Sequence, residues 1–176
     1  MKFDEHALEL SIIELFENEG YTHVTGEEIH RDKSEVLLTD LLSAFLQHRY
    51  AKDNITPSEI NSIIKQLQNI SSSDYDENKT ALNYICEGFN FRREDPNQKD
   101  LFVQLIDFDN PECNFFEIVN QVEVQGREQL RIPDGIVYIN GIPIVVMEFK
   151  SAIKENTTIE DAYKQLTIRY RRELTN

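Results

Sequence analysis

The chain has 176 residues, 40% of them hydrophobic and 28% charged, which suits one soluble domain with a real core and leaves too little length for two large ones. Its 32 acidic residues outnumber 18 basic ones, and a formal net charge of −14 argues against autonomous binding to DNA, whose phosphates are met by Lys and Arg. No apolar run approaches the ~20 residues of a membrane helix, Met1 to His6 lacks the basic-then-apolar pattern of a signal peptide, and Cys86 and Cys113 stand alone without CxxC spacing, so a reducing, cytoplasmic setting fits.

In chain order, Phe3 to Glu19 carries Leu8, Ile12, Leu15 and Phe16 at helical spacing, and Gly20 supplies a stop. Tyr21 to Val24 reads as a short strand. Glu35 to His48, with Leu38, Leu41, Leu42 and Phe45 on its apolar side, is a second amphipathic helix. Thr56-Pro57-Ser58-Glu59 places a cap and a proline at the start of a third, whose stripe is Ile60, Ile63, Ile64 and Leu67. Asp74 to Glu87 reads as a fourth. After Gly88 the period changes to two: Phe89 and Phe91 alternate with polar residues, and Phe102 to Ile106 and Phe115 to Val124 read as strands. A hairpin follows, and Thr157 to Asp161 opens a last helix running to about Arg172. Helices first, a sheet in the middle and a helix last predict one α/β domain over residues 1–176, with a mixed central sheet flanked by helices. The histidines His6, His23, His30 and His48 are scattered without ligand spacing, and Arg92-Arg93 reads as an exposed strand end.

The hairpin carries the chemistry. Its arms, Ile132 to Ile139 and Ile142 to Lys150, are apolar runs joined at Asn140-Gly141, yet Asp134 interrupts one and Glu148 and Lys150 the other. Carboxylates and ammonium groups are rarely enclosed unless paired with each other or with a metal. Period-two alternation puts Glu148 and Lys150 on one face. A plain two-residue Asn-Gly turn pairs Ile139 with Ile142 and therefore Asp134 with Met147, on the wrong face. A longer loop or a bulge, with glycine at 135 or 141, brings Asp134 round to Glu148, and such an irregularity is predicted. Spacing leaves two readings open. In one, Asp134, Glu148 and the Phe149 carbonyl hold a divalent cation while Lys150 acts on water or phosphate. In the other, Asp134 caps a turn and Glu148 with Lys150 forms a solvated pair.

Around this hairpin, Asn120-Gln121-Val122-Glu123-Val124, Arg131-Ile132-Pro133-Asp134, Asn140-Gly141-Ile142-Pro143 and Val145 to Lys150 form a recognisable series. With Glu5, Glu9, Gly20 and Tyr21 near the start and Ala162-Tyr163-Lys164-Gln165 near the end, the series resembles the N-terminal nuclease domain of type I restriction enzyme R subunits, part of the PD-(D/E)xK superfamily. The resemblance is weakest between about Ser34 and Gln98. It implies a restriction-endonuclease-like core and a Mg²⁺-dependent endonuclease that cleaves double-stranded DNA, in a subunit that also carries an ATP-driven translocase. On that likeness Asp134, Glu148 and Lys150 take the catalytic positions, and Asp134, Glu148, Phe149 and Glu9 those around the metal. Gln165 matches a family glutamine on the last helix. The family tyrosine stands four residues beyond it, where this chain has Arg169, with Tyr170 one further and well off that helix face, so Arg169 or Tyr170 serves the site.

No GxxxxGK[ST] phosphate loop is present. ATP is therefore expected only through motor domains elsewhere in a much longer polypeptide, of which this chain is expected to be the N-terminal portion. The expected partners are double-stranded DNA and the methyltransferase and specificity subunits of the complex, with no membrane. Two alternatives stand beside this reading: a non-catalytic docking or coupling module when isolated, and a PD-(D/E)xK nuclease of another system.

Overall fold

The structure is a computed structural model, and it describes residues 5–70, 75–126, 129–149, 159–164 and 166–167. The first helix, α1 (Glu5–Asn18), ends where Gly20 takes φ +91°. The Gly20 N–H then donates to the Glu17 carbonyl and the Tyr21 N–H to the Phe16 carbonyl, both at 3.0 Å, which is a Schellman closure. Phe16 meets Tyr21 edge-on and Tyr21 meets Phe116 at 5.1 Å between ring centres, so aromatic contacts fasten α1 to the strands that follow. β1 (Thr22–Thr25) comes next.

The helical part comprises α2 (Thr39–Arg49), α3 (Pro57–Gln68) and α4 (Tyr75–Cys86). α3 begins as its sequence predicts: Thr56 accepts from the Glu59 N–H, Glu59 accepts from the Thr56 N–H, and Pro57 fills the first turn. α2 begins at Thr39, four residues later than periodicity predicts. The reason is tertiary. The Leu38 N–H donates to the Gly141 carbonyl at 2.9 Å, and the Leu38 side chain is buried with Val119, Ile136 and Tyr138. Residues 36–38 thus lie on the sheet instead of extending the helix.

β2 (Phe89–Phe91) and β3 (Leu101–Val103) form a small antiparallel pair. Their inward residues Phe89, Phe91, Leu101 and Val103 pack with Leu42, Phe45 and Leu46 of α2 and Ile60, Ile63 and Ile64 of α3. Arg93, expected at an exposed strand end, is buried instead. Its guanidinium pairs with Glu59 at 2.7 Å and donates to the carbonyls of Asp53 and Asn54.

The central sheet contains β1, β4 (Phe116–Asn120), β7 (Gly135–Ile139) and β8 (Ile142–Met147) in the order β1-β4-β7-β8. β1 runs parallel to β4 and the other pairings are antiparallel, which makes the sheet mixed. β4 stops at Asn120 because Gln121 turns into the left-handed region at φ +53°. The single strand expected as far as Val124 is therefore divided, and β5 (Val124–Gln125) pairs with β6 (Leu130–Arg131) in a separate ribbon. α5 (Ile159–Lys164) lies within the last predicted helix. Among the described residues no helix is long and apolar enough to cross a membrane.

Candidate active site

The Asn140-Gly141 turn is the plain two-residue type, with Ile139 opposite Ile142 and both central residues at positive φ, +52° and +80°. The irregularity lies in β8. Tyr138 pairs with Pro143 but Val137 pairs with Val145, which leaves Ile144 as the extra residue of a bulge. From there Ile136 faces Val146 and Gly135 faces Met147. The ladder ends at that pair, and Asp134 and Glu148 are the next residues of the two arms. The Phe149 N–H donates to Asp134 Oδ2 at 2.5 Å, tying the two arms together beyond the last ladder pair.

The register shift predicted from the sequence is present, although neither Gly135 nor Gly141 makes it. Gly141 is committed to packing: an added Cβ would lie 2.3 Å from the Leu38 carbonyl oxygen. Ile144 is exposed on the edge strand of the sheet, where an extra residue disturbs no second neighbour.

Asp134 and Glu148 are both half-buried, and their carboxylate oxygens are of the kind a hard divalent cation takes. Glu9 comes to the same end of the sheet by another route. It is buried on α1, where Oε1 accepts from Asn120 Nδ2 at 2.8 Å and from Gln121 Nε2 at 3.1 Å. Asn120 is the backbone partner of Gly135, the residue after Asp134. Among the described residues no three His, Cys, Asp or Glu side chains gather into a group fit to hold a metal. Lys150, Gln165, Arg169 and Tyr170 lie outside the described residues.

Sequence reasoning gave Asn120 and Gln121 no task and grouped His23 with the histidines that lack ligand spacing, yet His23 Nε2 lies 2.9 Å from Asn120 Oδ1. The available signal was two consecutive amides at the end of a predicted strand. Basic groups nearby are already engaged. Arg31 donates to the carbonyls of Asp32, Glu35 and Glu123, and Lys33 pairs with Glu123, around a cleft of about 330 Å³ that Gln121 and Ile132 also line.

A mixed sheet flanked by helices, with an acidic residue just beyond the last ladder pair on each arm of a bulged hairpin, is a nuclease-like α/β fold. The sequence matches the family model for the type I restriction enzyme R protein N terminus over residues 2–176, and the chain belongs to that family. It is 33% identical over 171 residues to a Methanocaldococcus jannaschii protein provisionally named the type I restriction enzyme MjaIXP endonuclease subunit, covering 91% of this chain. It is 26% identical over 171 residues to the type I restriction enzyme HindI endonuclease subunit of Haemophilus influenzae, covering 92% of this chain. In both cases the match spans 16% of the relative's length.

Proposed function

We propose that this chain is the metal-dependent nuclease domain of a type I restriction endonuclease subunit, cleaving double-stranded DNA. The observation that carries the reading is the bulge at Ile144, which puts Gly135 opposite Met147 and so leaves Asp134 and Glu148 as the next residues of the two arms. Asp134 and Glu148, with the Phe149 carbonyl, would hold Mg²⁺, which ordinarily takes one or two protein carboxylates and completes its shell with waters and phosphate oxygens. Held by these residues, the ion would supply a water of lowered pKa and would offset charge on the scissile phosphate. The Phe149 N–H fixes the orientation of Asp134. Lys150, two residues beyond Glu148, supplies the ammonium that orients the attacking water or stabilises the phosphate in the transition state. Gln165 and either Arg169 or Tyr170 are proposed to contact the DNA near the reacting phosphate.

The domain is proposed to work within a longer polypeptide whose other parts supply the ATP-driven motor and join the methyltransferase and specificity subunits. The net charge of −14 supports this division of labour, since other parts must then hold the DNA. The test is plasmid cleavage by the assembled complex carrying Asp134→Ala, Glu148→Ala or Lys150→Ala in the full-length subunit. Each change is expected to abolish cleavage while ATP hydrolysis continues. Cleavage at the wild-type rate by the Lys150→Ala complex would overturn the assignment.

A further inference from the structure

Glu9 Oε1 is held by two consecutive side chains, those of Asn120 and Gln121. Neighbouring residues of a strand point to opposite faces, so a single oxygen does not ordinarily receive both. Gln121 escapes this rule through its left-handed backbone at φ +53°, which swings its amide back to the side of Asn120. That conformation is strained in a non-glycine residue, and strain of this kind collects at functional sites. The turn is tightly enclosed. The Gly26 N–H donates to the Asn120 carbonyl at 2.8 Å, and a Cβ on Gly26 would lie 2.3 Å from the Gln121 carbonyl oxygen. Asn120 Oδ1 receives His23 Nε2 from β1, so one asparagine joins α1, β1 and the backbone position next to Asp134.

We propose that Asn120-Gln121 is a positioning element for the candidate cation site. It fixes the buried Glu9 carboxylate against the sheet end that presents Asp134, so that Glu9 adds a fixed negative charge close to the ion without serving as its ligand. The proposal rests on the nuclease reading above. Its test is Mn²⁺ binding to the 176-residue chain by calorimetry, with thermal melting of the same samples. Outer-shell partners of a metal site typically contribute at least about 10-fold in affinity, and a loss of that size is expected for both Asn120→Ala and Gln121→Gly. Gln121→Gly should melt close to wild type, because relief of the positive-φ strain offsets the lost hydrogen bond to Glu9. Wild-type Mn²⁺ affinity in either variant overturns the positioning role, and a lowered melting temperature at unchanged affinity has the same meaning. Asp134→Ala separates the two claims. If it loses Mn²⁺ while both positioning variants keep it, only the present inference falls. If it binds as wild type does, or wild type binds no Mn²⁺, the nuclease reading falls as well.

Discussion

Asn140 is fully buried at the tip of the hairpin and spends its whole side chain on other segments. Oδ1 accepts from the Phe115 N–H at 2.7 Å, and Nδ2 donates to the Leu105 carbonyl at 2.9 Å and to Asn114 Oδ1 at 2.8 Å. Asn114 in turn binds the backbone of Asp107, whose carboxylate pairs with Arg49 of α2. The tip is thereby anchored to the helical part, and the register is counted from a fixed end. Replacing Asn140 by alanine leaves buried donors and acceptors bare at about 1–3 kcal/mol each, so a loss of at least about 2 kcal/mol in urea unfolding is expected. A second residue-scale device is the Glu59–Arg93 pair. The Arg93 hydrogen bonds hold the Glu59 carboxyl at about 2, against an ordinary value of 4.5. A carboxyl lowered on folding contributes stability that is complete above 4.5 and is lost as the pH falls towards 2. Thermal melts across that window should show a falling stability in wild type and a flatter profile in Glu59→Gln. The variant should also be less stable at neutral pH by about 3–5 kcal/mol, since Arg93 is left as a buried charge without its partner.

At the scale of elements, the hairpin behaves as a counting device. Deleting Ile144 converts the bulge to a regular ladder: Pro143 still faces Tyr138, Val145 still faces Val137, and Gly135 still faces Met147, with Asp134 and Glu148 next on the two arms. Because the Ile144 side chain is exposed, the core loses little. The deletion variant is therefore expected to fold and to bind Mn²⁺ with wild-type affinity in calorimetry. A folded variant that has lost Mn²⁺ would refute the register account. Much of this was legible beforehand. The amphipathic helices, the Gly20 stop and the Thr56–Glu59 cap follow from local periodicity and local hydrogen bonds, and the need for a one-residue shift followed from counting rungs. The position of the bulge did not, because Ile144 to Met147 is uniformly apolar and gives no alternation to break the tie. The late start of α2 and the burial of Arg93 also escaped, since both depend on partners far along the chain, Gly141 for Leu38 and Glu59 for Arg93. The same holds for Glu9, whose amide partners lie more than a hundred residues away in sequence.

For the whole molecule the governing quantity is charge. Asp134, Glu148 and Glu9 belong to a chain of net charge −14, which attracts cations and repels a polyanion. Among the described residues Arg31 and Lys33 do not reverse this: Arg31 adds a single charge, held against backbone carbonyls, and Lys33 is paired with Glu123. A divalent ion removes two charges at the site and leaves the long-range field acidic. Proteins that bind DNA non-specifically through Lys and Arg do so at about 10⁻⁴ to 10⁻⁶ M at physiological salt. The isolated chain should bind duplex DNA more weakly than that range, with or without Mg²⁺, in fluorescence anisotropy at physiological salt. Its binding should also lack the steep loss with added salt that counterion release produces, since few phosphates are neutralised. Micromolar or tighter binding with a steep salt dependence would show that the chain carries a DNA-holding surface of its own, and would remove the argument that other parts of a larger enzyme must bring DNA to Asp134 and Glu148.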